Sequence, residues 1–259
     1  MDDAQRKQDR ISGRDTGGFM IARKGIFTDL DNTIIFSHKH EIGERELVEE
    51  IDGKKQAYMT KRGYKLLQNT AHDQFIPITS RTLTQYRRIS FYCDGSIPRY
   101  ALIDNGGILL IEGKVDTEWL NETTDMIADD RAALNEFVRL FSTNADIKWQ
   151  DDMVLFVKTD GSLEGIDTAV HDLGLMTFQH MNKIYVCSDK LSKGKAIRRF
   201  KKRYPINCTI VAGDSEVDLS MIPEADEAYM ALQLEELIEE NDRVHLVNAV
   251  DIAEYIFGR

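Results

Sequence analysis

Two aspartates, Asp29 and Asp31, stand two apart in the segment Asp29-Leu30-Asp31-Asn32-Thr33, just after the apolar run Gly25-Ile26-Phe27-Thr28. The run reads as a buried strand that stops in a polar loop. In open α/β sheets ligands bind at the carboxyl ends of strands, so position and chemistry agree. Carboxylates this close repel each other, and they coexist readily if a cation lies between them or one of them keeps a proton. A magnesium ion, hard and oxygen-seeking, suits the first condition. With its charge screened, one carboxylate can attack phosphorus while the other protonates the leaving oxygen and later activates water. The competing reading is a polar turn that only caps a strand.

Three further segments bear on that choice. Ile76-Pro77-Ile78-Thr79-Ser80-Arg81 ends a second strand in the hydroxyls of Thr79 and Ser80, and Thr79 is a candidate to hydrogen-bond a phosphoryl oxygen. Ser192-Lys193-Gly194 opens a helix, so Lys193 and the first amides would favour a bound phosphate; the alternative is a solvated surface lysine. Val211-Ala212-Gly213-Asp214-Ser215-Glu216-Val217-Asp218 runs from a buried strand through a glycine into two carboxylates four apart. There Asp214 would complete a magnesium site, with Asp218 fixing that site or Lys193 from behind. Asp214 and Ser215 also suit the plain role of helix caps. Arg81, Arg87 and Arg88 are candidates for a second anionic group on a substrate, or for a face that meets water. His38 and His40 lie in a charged loop without a cysteine partner and read as a solvated pair.

These residues need elements to hold them. Beyond the first strand, Glu46 to Thr60 contains two extended stretches around Asp52-Gly53, the favoured centre of a hairpin turn, which predicts a flap beside the acidic loop. A helix is expected over Thr60 to His72, a strand over Gln74 to Thr79, a helix over Leu83 to Ile89 and a strand over Arg99 to Ile103. Alternation of this kind calls for a parallel sheet covered by helices on both faces. The rhythm changes after Asn105-Gly106-Gly107. Ile108 to Ile111 and a long helical stretch from Trp119 to Ser142 precede strands at Met153 to Lys158 and Lys183 to Cys187, with a helix over Gly165 to Leu173 between them. After Asp189 the alternation resumes with helix Lys193 to Arg203, strand Cys208 to Ala212, short helix Glu216 to Met221, strand Glu227 to Ala231 and a closing helix near Ile252.

The bulk properties limit what surrounds this chemistry. The 259 residues, 42% hydrophobic and 30% charged, suffice for one large core or two smaller ones. A net charge of -11 argues against a broad nucleic-acid-binding face, because phosphate backbones are held by clustered Lys and Arg. The sequence shows neither an apolar membrane span nor the core of a secretory signal, so a cytoplasmic location is expected, with Cys93, Cys187 and Cys208 reduced. Residues 1–20 are polar and aperiodic and read as a disordered arm.

The order and spacing of the four segments resemble the haloacid dehalogenase superfamily of phosphatases, in the branch (Cof-like, sucrose-phosphatase-like or mannosyl-3-phosphoglycerate phosphatase-like) whose C2-type cap lies between the second and third motifs. The resemblance covers nearly everything from Gly25 onward. It implies an α/β fold with a Rossmann-like three-layer core over 21–111 and 189–259 and an α+β cap over 112–188. It makes Asp29 the nucleophile, Asp31 the acid and base, Thr79 the phosphate-orienting hydroxyl and Lys193 the charge-neutralising lysine. Asp29, Asp214 and the backbone carbonyl of Asp31 would hold Mg2+, with Asp218, Ser80 and Ser215 in support. Asn105 belongs to the Asn-Gly-small turn that this branch places just before its cap. The implied substrate is a small phosphorylated metabolite such as a sugar phosphate or phosphorylated glycoside.

Two positions depart from the family pattern. Asn32 stands where many relatives have glycine, a change that Asn tolerates because it too visits left-handed conformations. Val217 stands where the branch usually has asparagine, which would weaken magnesium affinity if that side chain normally supports the metal. The long, charged hairpin at 46–60 has no assigned role at this stage. A phosphomutase of the same superfamily and a non-catalytic protein that binds a phosphorylated ligand are the alternatives, and oligomeric state is not legible in the sequence.

Overall fold

The computed structural model describes residues 23–158, 165–180, 183–239 and 241–258; the arm expected over 1–20 lies outside them. The chain opens with β1 (Lys24–Thr28), β2 (Phe36–Ser37), β3 (Arg45–Ile51), β4 (Lys54–Thr60), α1 (Lys61–Leu67), β5 (Phe75–Pro77), α2 (Leu83–Tyr86), β6 (Tyr100–Ile103), β7 (Ile108–Ile111) and β8 (Lys114–Val115). It continues with α3 (Thr117–Ile127), α4 (Arg131–Phe141), β9 (Asp146–Gln150), β10 (Val154–Lys158), α5 (Ile166–Asp172), β11 (Leu175–His180) and β12 (Lys183–Ser188). The closing part holds α6 (Lys193–Arg203), β13 (Cys208–Gly213), β14 (Glu227–Ala231), β15 (Val244–Val247) and α7 (Ile252–Phe257).

The central sheet is parallel, in the order β15-β14-β13-β1-β5, and Ile78 just beyond β5 bridges in parallel to Leu102 of β6. Its strands are apolar on both sides because helices cover both faces. Phe27, Ile76, Val211 and Met230 pack on one face with Ile197 and Phe200 of α6. Ile26, Phe75, Ile210 and Tyr229 pack on the other with Leu67 of α1 and Ile252, Ile256 and Phe257 of α7. This is the doubly covered parallel sheet that the alternating pattern predicts.

A second, antiparallel sheet of order β11-β12-β10-β9 is built from the middle of the chain. Leu155, Val157 and Val186 on one face meet Leu134 and Phe137 of α4 and Ile166 and Val170 of α5. The opposite face turns Val154, Phe178, Tyr185 and Cys187 toward the core. The helix expected over Trp119 to Ser142 is two helices, because the chain turns at Ala128–Asp130. Asp130 has a job there: it accepts from Ser188 Oγ at 2.5 Å and pairs with Lys190 at 3.3 Å. Trp119 of α3 packs with the core cluster, donates from Nε1 to the Gly106 carbonyl oxygen at 3.0 Å and lies 3.7 Å beneath the Arg199 guanidinium.

The expected hairpin is present as β3 and β4, with Asp52 at φ 51 and Gly53 at φ 73, the left-handed pair that a two-residue turn requires. Two helices stop earlier than expected. In α1, Asn69 and Thr70 turn their side chains back onto the Lys65 and Leu66 carbonyl oxygens, which competes with continuation of the helix. After α2, Ile89 leaves the helical path to bridge Glu49 of β3.

Candidate active site

β1 and β13 end side by side and place the first two carboxylates. The Asp29 amide donates to the Ala212 carbonyl oxygen at 2.9 Å, so the ladder runs right up to the first aspartate. Asp29 and Asp214 are 6% and 7% exposed, and Thr33 Oγ1 lies 2.8 Å from Asp214 Oδ1 and 3.5 Å from Asp29 Oδ2. Gln233 Nε2 donates to the Asp214 carbonyl oxygen at 2.7 Å and ties down the loop.

Lys193 enters from the first position of α6, capped by Ser192, and is buried. Its Nζ lies 2.6 Å from both Asp29 Oδ1 and Asp218 Oδ1. The other oxygen of Asp218 accepts from the Asp214 amide, the Ser215 amide and the Ser215 hydroxyl at 3.1, 3.0 and 2.8 Å. Asp218 approaches so closely because Gly213 has no side chain: a Cβ there would stand 2.3 Å from the Asp218 Cβ. The sequence thus brings together residues 29, 193, 214 and 218 from three elements and a 3-10 turn at Glu216–Glu224.

The charge balance of this cluster is negative. Burial, then repulsion from Asp218, Asp214 and Asp31, raises the Asp29 carboxyl well above its usual range against the opposing pull of Lys193. Burial and Asp218 push Asp214 up to about 7 even though Thr33 donates to it. The two carboxylates hold Lys193 in its charged form against the cost of burial. One ligand oxygen each of Asp29, Asp214 and Asp218 lies within 4.8 Å of the others. Both oxygens of Asp218 are already engaged, so Asp29 and Asp214 are the side chains that fit a hard divalent cation, and such a cation would relieve their repulsion.

Asp31 is held from the opposite side. Arg81 Nε and Nη2 donate to its two oxygens at 2.7 Å each, and Arg81 Nη1 and Nη2 donate to Glu49 at 3.0 Å each. Thr79 is fully buried and its Oγ1 accepts from the Arg81 amide at 3.2 Å, which leaves its own O–H to donate. Ser80 lines the cleft, and Thr79 lies behind it. Asn105 adopts φ 54, donates from its amide to the Thr79 carbonyl oxygen at 2.9 Å, and lines a wider cavity that continues past Lys193 and Asp214.

The cleft above these groups has a volume of about 200 Å³ and is walled by Asp29, Asp31, Arg88, Lys193, Asp214 and Ser215 from below and by Phe178 and Tyr185 from the second sheet. The two rings stack at 4.8 Å with 4° between their planes. Sequence reasoning missed Thr33, Glu49, Gln233 and this aromatic pair. Thr33 stands in the first acidic segment and was open to notice; Glu49 and Gln233 carry no local mark. His38 and His40 stay outside the cleft, with His40 Nδ1 3.0 Å from Ser37 Oγ.

No family model matches the sequence, and no curated protein matches it significantly. Solved structures do. The sucrose-phosphatase of Synechocystis sp. PCC6803, in complex with sucrose and phosphate, is 16% identical over 92% of this chain and 99% of its own, with a TM-score of 0.64. The HAD subclass IIB sugar phosphatase BT4131 is 12% identical over 90% of this chain and 97% of its own, with a TM-score of 0.58. BT1666 from Bacteroides thetaiotaomicron, a phosphatase of the same superfamily, is 14% identical over 95% and 99%, with a TM-score of 0.54. The chain therefore shares the fold of these phosphatases, a Rossmann-like parallel sheet with an additional antiparallel sheet. At such identities the likeness speaks for the fold, and the chemistry has to be argued from this chain's own residues.

Proposed function

We propose that this protein is a magnesium-dependent phosphomonoester hydrolase that acts through an aspartyl-phosphate at Asp29 on a small phosphorylated metabolite, most simply a sugar phosphate. The observation that carries this reading is the buried chain Asp29–Lys193–Asp218, with Asp214 and Asp31 on either side of Asp29, at the carboxyl end of a parallel sheet. Such a carboxylate-rich, oxygen-only donor set matches magnesium, which Asp29, Asp214 and the Asp31 carbonyl oxygen would hold. When bound, the ion supplies charge neutralisation between these carboxylates and the phosphoryl oxygens.

The residues divide the work as follows. A carboxylate oxygen of Asp29 forms a bond to phosphorus while the bond from phosphorus to the leaving oxygen breaks, and Asp31 gives that oxygen a proton. Asp31, now ionised, takes a proton from water as the water attacks the acyl phosphate, which frees inorganic phosphate and regenerates both aspartates. Lys193 offsets the charge of Asp29 and of the arriving phosphoryl group, and Asp218 keeps it in place. Thr79 and Ser80 offer hydroxyls to the phosphoryl oxygens, Ser215 spends its hydroxyl and amide on holding Asp218, and Asn105 steadies the end of β5.

Phe178 and Tyr185 form an apolar lid that excludes water and gives a ring-shaped leaving group a surface to lie on. The cap in this reading is 112–188, with Trp119 of α3 packed against the core cluster. Among the described residues no helix is long and apolar enough to cross a membrane. A cytoplasmic setting is in keeping with the free thiols of Cys93, Cys187 and Cys208.

Phosphate release from a panel of phosphomonoesters tests the reading, run with magnesium, with chelator and with Asp29→Asn. Turnover is expected only with magnesium, and the variant should lose roughly a thousandfold or more in kcat. Unchanged turnover in Asp29→Asn would contradict it.

A further inference from the structure

We propose that Arg81 is a positioning residue for Asp31, and that Glu49, carried on the β3–β4 hairpin, holds Arg81 in that role. The inference rests on the reading of Asp31 as the general acid. It accounts for the charged hairpin at 46–60.

Arg81 has five N–H donors and the protein engages every one. Nε and Nη2 meet the two oxygens of Asp31, Nη1 and Nη2 meet the two oxygens of Glu49, and the remaining Nη1 hydrogen reaches the Gln85 carbonyl oxygen at 3.4 Å. A guanidinium so saturated has no donor left for a substrate anion, which separates Arg81 from its neighbour Arg88 in the cleft wall. A bidentate pair fixes the plane of the carboxylate it holds. Asp31 needs such a hold: it sits on an open turn beside Asn32, which has φ 61, and its side chain is 34% exposed.

The hairpin is shaped to deliver Glu49. In a regular strand Val48 and Glu49 would face opposite sides, yet both are buried. The pairing of β3 with β4 shifts register between Leu47 and Glu49 and again between Glu49 and Glu50, a bulge that re-aims one side chain. Glu49 is thereby turned inward, and its backbone bridges Ile89 while the Ser90 amide donates to the Val48 carbonyl oxygen at 2.8 Å. A buried glutamate paired with a buried arginine is a costly arrangement unless the pair is kept intact. Glu49 also offsets the charge of Arg81, so the guanidinium stays with the protein when an anionic substrate arrives.

The role has a chemical signature. A sugar or other alkyl alkoxide must be protonated as it departs, whereas p-nitrophenolate departs readily without a proton, so misplacing the acid slows alkyl esters selectively. The test is kcat/KM, which reports formation of the aspartyl-phosphate and not its common hydrolysis, for the best alkyl phosphate from the panel and for p-nitrophenyl phosphate, in wild type, Arg81→Lys, Glu49→Gln and Asp31→Asn. The alkyl-to-aryl ratio of kcat/KM should fall by about tenfold or more in Arg81→Lys and in Glu49→Gln, in the direction of a larger fall in Asp31→Asn. If Asp31→Asn shifts the ratio and neither of the other two does, the positioning role is overturned. If Asp31→Asn leaves the ratio unchanged, the assignment of Asp31 as the acid fails, and the proposal falls with it. Equal losses on both substrates in Arg81→Lys and Glu49→Gln would show a merely structural part and overturn it too.

Discussion

Asp218 Oδ1 lies 2.6 Å from Lys193 Nζ while its Oδ2 receives three hydrogen bonds from Asp214 and Ser215. One buried carboxylate thus fixes both the lysine beside the nucleophile and the loop that carries the second candidate metal ligand. Its burial is complete, and so is its complement of partners. Asp218→Ala would leave Lys193 with one carboxylate and strand three donors. The variant should lose about 3 kcal/mol or more in chemical denaturation and need more magnesium for half-maximal activity. A variant as stable as wild type with an unchanged magnesium requirement would refute this linkage.

α6 delivers Lys193 only because the next residue has no side chain. A Cβ at Gly194 would stand 1.7 Å from the Ser220 carbonyl oxygen, a backbone atom that cannot step aside. Gly194→Ala must therefore push α6 off the Glu216–Glu224 turn, at a cost of about 3 kcal/mol. Thermal unfolding should show the loss and phosphate release should fall with it. Wild-type values for both would contradict this close packing of α6 on the turn.

Asp104 gives a pH dependence whose sign can be worked out. It is 1% exposed, neither of its oxygens has a hydrogen-bond partner, and burial, with the Asp151 carboxylate adding to it, pushes its carboxyl up to about 9. A carboxyl raised in the folded state binds its proton more tightly there than when unfolded. Its contribution to stability is full below the ordinary carboxyl range and is lost as pH rises toward 9. Asp104→Asn keeps the shape of the side chain and removes the titration. Relative to wild type it should gain at least about 1 kcal/mol in unfolding free energy between pH 5 and pH 8. Parallel pH profiles for the two proteins would contradict the assignment.

Much of the core was legible because its signals are local. The apolar runs of β1 and β13 end in the segments that carry Asp29 and Asp214, and Ser192-Lys193-Gly194 marks the start of α6 at the residue where it begins. What the sequence hid depends on partners far along the chain. Asp146–Gln150 became a strand because β10 pairs with it, and Leu175–His180 because β12 does; neither segment is apolar enough to announce itself. Glu49 looked like one charge among several on the hairpin until the bulge turned it toward Arg81, 32 residues away. Arg81 itself was a candidate for a substrate anion, and the two carboxylates it meets explain why that role passes to others.

The most direct test of the account is to look for the covalent intermediate. Protein with magnesium is mixed with a phosphorus-labelled substrate, quenched in acid within a turnover, and digested so that the labelled peptide can be sequenced. Label that is stable in acid, released by hydroxylamine, confined to the peptide bearing Asp29 and absent from Asp29→Asn is the predicted result. Steady turnover with no label on Asp29, or with label on another residue, would contradict it.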